Sequence, residues 1–455
     1  MFRTACYCLL TFATAACTPA LGLDLSDRVD ALAKPLVEDE IVVGMVVGIV
    51  NGDEVQILTY GETKKGSKTK PTADSVYEIG SVTKVFTGIL LADTVRQEKV
   101  ALDDPLQRFV AEGVKVPEVD DQPITLRHLA THTSGLPRMP GNFRPKDPTQ
   151  PYVDYDRKKL FAFLSEVKPA RGPGKHEYSN YAMGILGETL GDVWDDNYED
   201  ALTARVLKPL KLNDTRITLN DAMRKRMVPG YNANLKEEPA WDFDAFAGAG
   251  AIRSTARDMV KFMQANLRDD DSAIAVALRD AHGKQPVPEQ GQAMALGWHI
   301  AGDGITRWHN GMTGGYHSWL AVIPDHDIGV VVLANTATMR VSTFGEQVTR
   351  IALGAEVEPP QRRKEIDLAA EVLKKYVGVY PLAPQFKLTV TLEEGKLMVQ
   401  ATGQPKIQVY AESPTKFFYK VVDAQITFVE RDDGTIEKLI LHQNGRNLEA
   451  PRQKQ

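Results

Sequence analysis

Cysteine is nearly missing from this chain. The three cysteines, Cys6, Cys8 and Cys17, all stand near the N-terminus. If that stretch is removed, a thiol nucleophile, a disulfide framework and a cysteine-ligated metal are excluded together. Beyond it, no run of about 18 apolar residues is present to span a bilayer. Positive charge is not in excess. With 54 Lys and Arg against 60 Asp and Glu, the formal net charge is -6, which disfavours a nucleic-acid partner. Two catalytic signatures are absent as well. No G-x-S-x-G elbow occurs. His128 and His132 have the helical spacing of metal ligands, but Leu129 stands where H-E-x-x-H requires glutamate, so zinc is not expected.

What is present is ordinary for globular protein: 43% hydrophobic and 25% charged residues over 455 positions, enough for two or three domains. Arg3, an apolar stretch through Leu9, Leu10 and Ala16, and the small residues Ala20-Leu21-Gly22 read as a secretory signal over residues 1–22. A periplasmic or secreted location follows. Cys17 opens a second reading, a lipid anchor on its sulfur.

Ile41 to Val50 is apolar and β-branched, and Asn51-Gly52 separates it from Glu54–Tyr60, which predicts a hairpin. Residues 75–80 predict another strand. Val82 to Glu98 carries apolar residues at helical spacing. Helices are expected over Arg127–Thr131, Ala182–Leu190 and Ala201–Leu207, and a proline-rich loop over residues 137–151. Ser318–Val322 and Ile328–Leu333 read as strands joined by a turn. This order predicts an α+β fold: one antiparallel sheet completed from both ends of a domain spanning 23–356, flanked by helices, with an all-helical lobe. Residues 357–367 read as a linker. Short regular strands follow, so 368–455 is expected to form a small all-β domain.

The chemistry starts at Ser81-Val82-Thr83-Lys84, where a strand turns into a helix. Residues three apart share a helix face, so Ser81 and Lys84 can meet. A serine hydroxyl needs an adjacent base, and Lys84 is the nearest candidate. Its ordinary pKa of about 10.4 has to fall through burial or a nearby cation. Tyr178, in Tyr178-Ser179-Asn180, is the second candidate, and a coupled Lys84–Tyr178 pair would act as the base. His309-Asn310-Gly311 supplies a third element ahead of an apolar run.

The order S-x-x-K, Y-x-N, H-x-G resembles class C β-lactamases, D-Ala-D-Ala carboxypeptidases and related esterases. Supporting phrases are Thr131-His132-Thr133-Ser134-Gly135-Leu136-Pro137, Gly248-Ala249-Gly250 and Leu296-Gly297-Trp298. The resemblance implies the β-lactamase/transpeptidase-like form of the α+β fold and an acyl-enzyme on Ser81. It implies that Tyr178 protonates the leaving group and that Asn180 orients Lys84 and the substrate amide. It places an oxyanion hole between the backbone amides of Ser81 and Met312, with Gly311 admitting the substrate. Many family members carry lysine where His309 stands, so tight recognition of an anionic substrate is not assured. No cofactor or metal is implied. The implied partners are small molecules or peptides: a β-lactam, a D-Ala peptide or an ester. A slowly acylating penicillin-binding receptor is the rival. The C-terminal segment resembles the lipocalin-like extension of some members.

Overall fold

A computed structural model of the chain describes residues 24–286, 292–359, 363–443 and 445–453. The expected signal segment and all three cysteines lie outside the described residues.

The expected hairpin forms, but its two turn residues are Gly52 and Asp53, because Asn51 stays in the strand. Gly52 takes a φ of +58, and Asn51 pairs with Glu54. The hairpin is one edge of a six-stranded sheet. Its order is Glu54–Gly61, Gly44–Asn51, Ile328–Ala334, His317–Ile323, Arg307–Met312, His299–Ile300, antiparallel throughout. Gly44–Asn51 joins Ile328–Ala334 directly, so strands from both ends of this segment complete one sheet. The strand Ile328–Ala334 is buried along its whole length, which accounts for its unbroken apolar run. Met45, Val47 and Ile49 face a layer containing the helices Leu25–Glu38 and Arg340–Ala352. Val46 and Val50 face the helix Ala256–Leu267 and the main helical core.

The helix Thr83–Arg96 lies inside that core. Every residue from Thr83 to Thr94 is buried, so this helix has no solvent face over that span. Backbone packs on backbone at Gly88: a Cβ there would lie 2.1 Å from the Leu296 carbonyl oxygen. The Leu296-Gly297-Trp298 phrase therefore serves to press this helix into place. Val76–Glu78 forms the expected extra strand, but outside the main sheet. It pairs with Arg253–Thr255, Glu78 opposite Arg253.

After residue 362 the chain is built mainly of strands. A four-stranded sheet begins at Gly378–Ala383, and a five-stranded one ends at Arg446–Pro451. Their shared interior is filled by Tyr376, Tyr380, Leu397, Phe417, Phe428 and Leu439. Thr338 Oγ1 donates to the Val421 carbonyl at 3.2 Å, tying this part to the N-terminal end of the helix Arg340–Ala352.

Glu78 is buried, accepts a hydrogen bond from the Trp241 amide at 2.7 Å and meets the Arg253 guanidinium at 3.4 Å. Burial raises its pKa from the ordinary 4.5 to about 7, against the pull of Arg253. The folded chain thus holds this proton more tightly than the unfolded chain. Its contribution to stability is complete below about 4.5 and is lost as pH rises through about 7, a change of at most about 3 kcal/mol. Glu78→Gln stays neutral and lacks that loss. The difference in Tm between Glu78→Gln and wild type is expected to move in the mutant's favour from pH 5 to pH 8. The same difference at both pH values would contradict the assignment.

Candidate active site

Ser81 sits in a single 3-10 turn, Gly80–Val82, that runs into the helix Thr83–Arg96. No side chain caps this helix start, so the Ser81 hydroxyl is not spent on capping. Lys84 Nζ lies 2.9 Å from Ser81 Oγ and donates to the Ala249 carbonyl at 2.6 Å. Lys84 is wholly buried, which drives its pKa well below the ordinary 10.5, and the Arg138 charge pushes the same way. A neutral amine so held presents its lone pair to a hydroxyl hydrogen.

Tyr178 precedes the helix Asn180–Val193. Ser179 caps that helix by accepting from the Ala182 amide at 2.9 Å, and its hydroxyl donates to the Pro137 carbonyl at 2.7 Å. The Asn180 and Tyr181 amides donate to the Arg138 carbonyl at 3.1 and 3.3 Å. The loop after Leu136 and the start of this helix are thus one unit, and it delivers the phenol ring to within 5.0 Å of Lys84 Nζ. Burial lifts the Tyr178 pKa to about 12, although a hydrogen bond with Ser81 and the Arg138 charge both lower it. Burial therefore pushes both groups toward their neutral forms, the amine without and the phenol with its proton.

Asn180 does not orient Lys84. Its Nδ2 lies 3.8 Å from Met139 Sδ, and its Oδ1 has no partner. Ala249 supplies the oriented acceptor instead. Asn180 Oδ1 is left available to a substrate amide.

The third element sits on the strand Arg307–Met312, which packs against the Ser81 turn. A Cβ on Gly80 would lie 2.8 Å from the Met312 nitrogen, and one on Gly311 would lie 2.0 Å from the Ile79 carbonyl oxygen. Gly80 also holds a φ of +50. Ser318 Oγ fastens the same junction by donating to the Ile79 carbonyl at 2.8 Å. The Met312 amide is thereby brought beside the Ser81 turn, as an oxyanion hole requires. The Met312 side chain is 49% exposed and takes no part in this packing.

His309 is buried and packed 4.7 Å from the His299 ring. Its Nδ1 donates to the Asn310 carbonyl at 2.6 Å, and Nε2 has no partner. Burial, with His299 and Lys84 adding to it, holds its pKa well below the ordinary 6.5. His309 thus offers a hydrogen-bond acceptor and no charge, so a pH-dependent carboxylate anchor at this residue is not supported. Asn310 and His317 both bond Ser342 Oγ, at 2.8 and 2.7 Å, which gives His317 a structural role.

Three residues stood outside the expected site yet touch it. His132 accepts from the Ser179 amide at 3.2 Å and packs its ring 4.4 Å from Tyr178. His128 joins the cap at Thr125 of the helix Leu126–Ala130, and no metal-ligand cluster occurs among the described residues. His299 packs beside Tyr178 at 6.2 Å. Arg138 Cζ lies 4.9 Å over the Tyr178 ring. The only signal for Arg138 was its place directly after the Thr131–Pro137 phrase. Ser134 is a turn residue, accepting from the Leu136 amide at 3.3 Å.

Two outcomes follow. Gly80→Ala forces a Cβ into the Met312 backbone, so activity should fall at least about 100-fold while far-UV circular dichroism is kept. Wild-type rates in that variant would remove the turn–strand contact from the site. Arg138→Gln withdraws a positive charge from Lys84, eases its protonation and should move the acidic limb of the pH–rate profile to higher pH. An unmoved limb would show that Arg138 does not tune Lys84.

The family model described as Beta-lactamase matches residues 29–352, and one described as a domain of unknown function (DUF3471) matches residues 362–452. The chain is 31% identical over 336 residues to the D-alanyl-D-alanine-carboxypeptidase/endopeptidase AmpH of Escherichia coli K12, across 69% of this chain and 85% of that one. It is 28% identical over 377 residues to a beta-lactamase of the same strain, across 74% and 95%. It is 23% identical over 447 residues to Penicillin-binding protein 4* of Bacillus subtilis, across 90% and 95%. A crystal structure of a β-lactamase/D-alanine carboxypeptidase from Yersinia pestis, complexed with citrate, matches with a TM-score of 0.63 at 27% identity, covering 72% of this chain and 98% of that one. The chain belongs to the Beta-lactamase family, the hydrolase family of serine β-lactamases and penicillin-binding proteins.

Proposed function

We propose that this protein hydrolyses a β-lactam or a D-amino-acid peptide amide through an acyl-enzyme on Ser81. The observation that carries this reading is the buried Lys84 amine, 2.9 Å from Ser81 Oγ and depressed well below its ordinary pKa. Lys84 takes the Ser81 proton as Oγ attacks the carbonyl carbon. The amides of Ser81 and Met312 receive the oxyanion. Tyr178, still protonated, gives its proton to the leaving nitrogen, and the Lys84 ammonium restores it. Water then attacks the acyl carbon, Lys84 takes its proton, and the Lys84 ammonium returns that proton to Ser81 Oγ as the C–Oγ bond breaks and the acid leaves. Asn180 Oδ1, unpartnered in the structure, accepts from the substrate amide.

The names of the relatives, a D-alanyl-D-alanine carboxypeptidase and a beta-lactamase, favour these amides over a lipid ester. The reading includes a hydrolase domain over residues 23–356 and a separate β domain over 368–455, supported by their separate hydrophobic clusters. It also includes a periplasmic or secreted location, supported by the N-terminal sequence pattern.

The test is turnover of a chromogenic cephalosporin, a D-Ala-D-Ala peptide and a p-nitrophenyl ester by wild type and Ser81→Ala. Multiple turnovers that fall roughly 10³-fold or more in Ser81→Ala are expected. A single stoichiometric burst would favour a penicillin-binding receptor, and turnover indifferent to Ser81 would refute the acyl-enzyme.

A further inference from the structure

The site contains one persistent charge. Among the described groups that approach the Tyr178 ring, Lys84, His132, His299 and His309 are all depressed towards neutrality by burial. Arg138 carries a guanidinium. Its side chain is exposed at the mouth of the site, with Cζ 4.9 Å over the Tyr178 ring. No carboxylate among the described residues forms an ion pair with Arg138. Its position is nonetheless fixed, because its carbonyl accepts from the Asn180 and Tyr181 amides. An arginine built into a site but left without an anion is equipped to take one from a ligand, since the guanidinium fork matches a carboxylate.

We propose that Arg138 binds the carboxylate of an anionic substrate at the mouth of the Ser81 cleft. It supplies the attraction that a buried His309 does not. This deepens the hydrolase reading and rests on it. The substrate class is an acyl compound with a free carboxylate near the scissile amide, such as a β-lactam acid or a peptide ending in a D-amino acid.

The experiment compares two substrates that share one scissile bond: a cephalosporin acid and its methyl ester. The same pairing applies to a D-Ala-D-Ala peptide and its C-terminal methyl ester. For wild type, Arg138→Gln and Arg138→Lys, the readout is the ratio of kcat/KM for acid over ester. The acylation rate replaces kcat/KM if the reaction stops at a burst. A common change in Lys84 cancels in this ratio. In Arg138→Gln the ratio should fall roughly 10- to 100-fold, mainly through KM. Arg138→Lys should recover part of it, and added salt should narrow the gap between wild type and Arg138→Gln. A ratio unchanged in Arg138→Gln, with turnover still dependent on Ser81, would overturn this inference alone. Turnover of both substrates that survives Ser81→Ala would overturn the hydrolase reading and this inference together.

Discussion

Burial of one amine organises this molecule. Placing Lys84 inside the core costs solvation of its charged form, and the pKa falls instead of the charge being kept. Loss of that charge is what a lysine needs before it can serve as a base. It requires a helix buried over its first three turns, which the Thr83–Arg96 helix provides by being surrounded by other elements. It also requires an acceptor for the amine hydrogens, and Ala249 supplies one from the backbone. The fold is therefore arranged around a desolvated point at a helix start, with the sheet edge closing one side and the Leu126–Ala130 and Asn180–Val193 helices the other.

Close backbone approaches make this arrangement rigid. Gly80, Gly88 and Gly311 each stand where a Cβ would run into backbone atoms. Backbone atoms cannot rotate away as a side chain can, so these contacts set distances that ordinary packing would leave looser. The oxyanion geometry depends on the Gly80–Gly311 approach. The depth at which Lys84 is buried depends on the approach at Gly88. Catalytic groups held in this way start near their working positions, which reduces the reorganisation needed during reaction.

Much of the architecture was legible locally. Asn51-Gly52 between two β-branched runs announced the hairpin, and apolar runs announced the central strands. The pairing of Gly44–Asn51 with Ile328–Ala334 was anticipated only as a pattern of strands at both ends, because no local signal sets a register across so much sequence. The strand at Val76–Glu78 was visible, but its partner was not, since a buried Glu78–Arg253 pair has no sequence signature. Within the candidate site, Ser81, Lys84 and Tyr178 were picked out from their spacing and order, and the fold brings them together, with Lys84 Nζ 2.9 Å from Ser81 Oγ and 5.0 Å from the Tyr178 ring. Arg138 and Ala249 were not. One sits on a loop and the other contributes only a carbonyl, and neither leaves a residue pattern.

The sequence by itself determined which groups could react: a hydroxyl and an amine one helical turn apart, and a phenol ahead of a capped helix. Those are consequences of helical geometry and side-chain chemistry. The tertiary structure alone decided how far each of these groups is removed from water. Burial pushes Lys84, Tyr178 and His309 each toward its neutral form, while Arg138 lies exposed beside them. Solvation belongs to the folded environment, and a linear pattern of residues does not contain it.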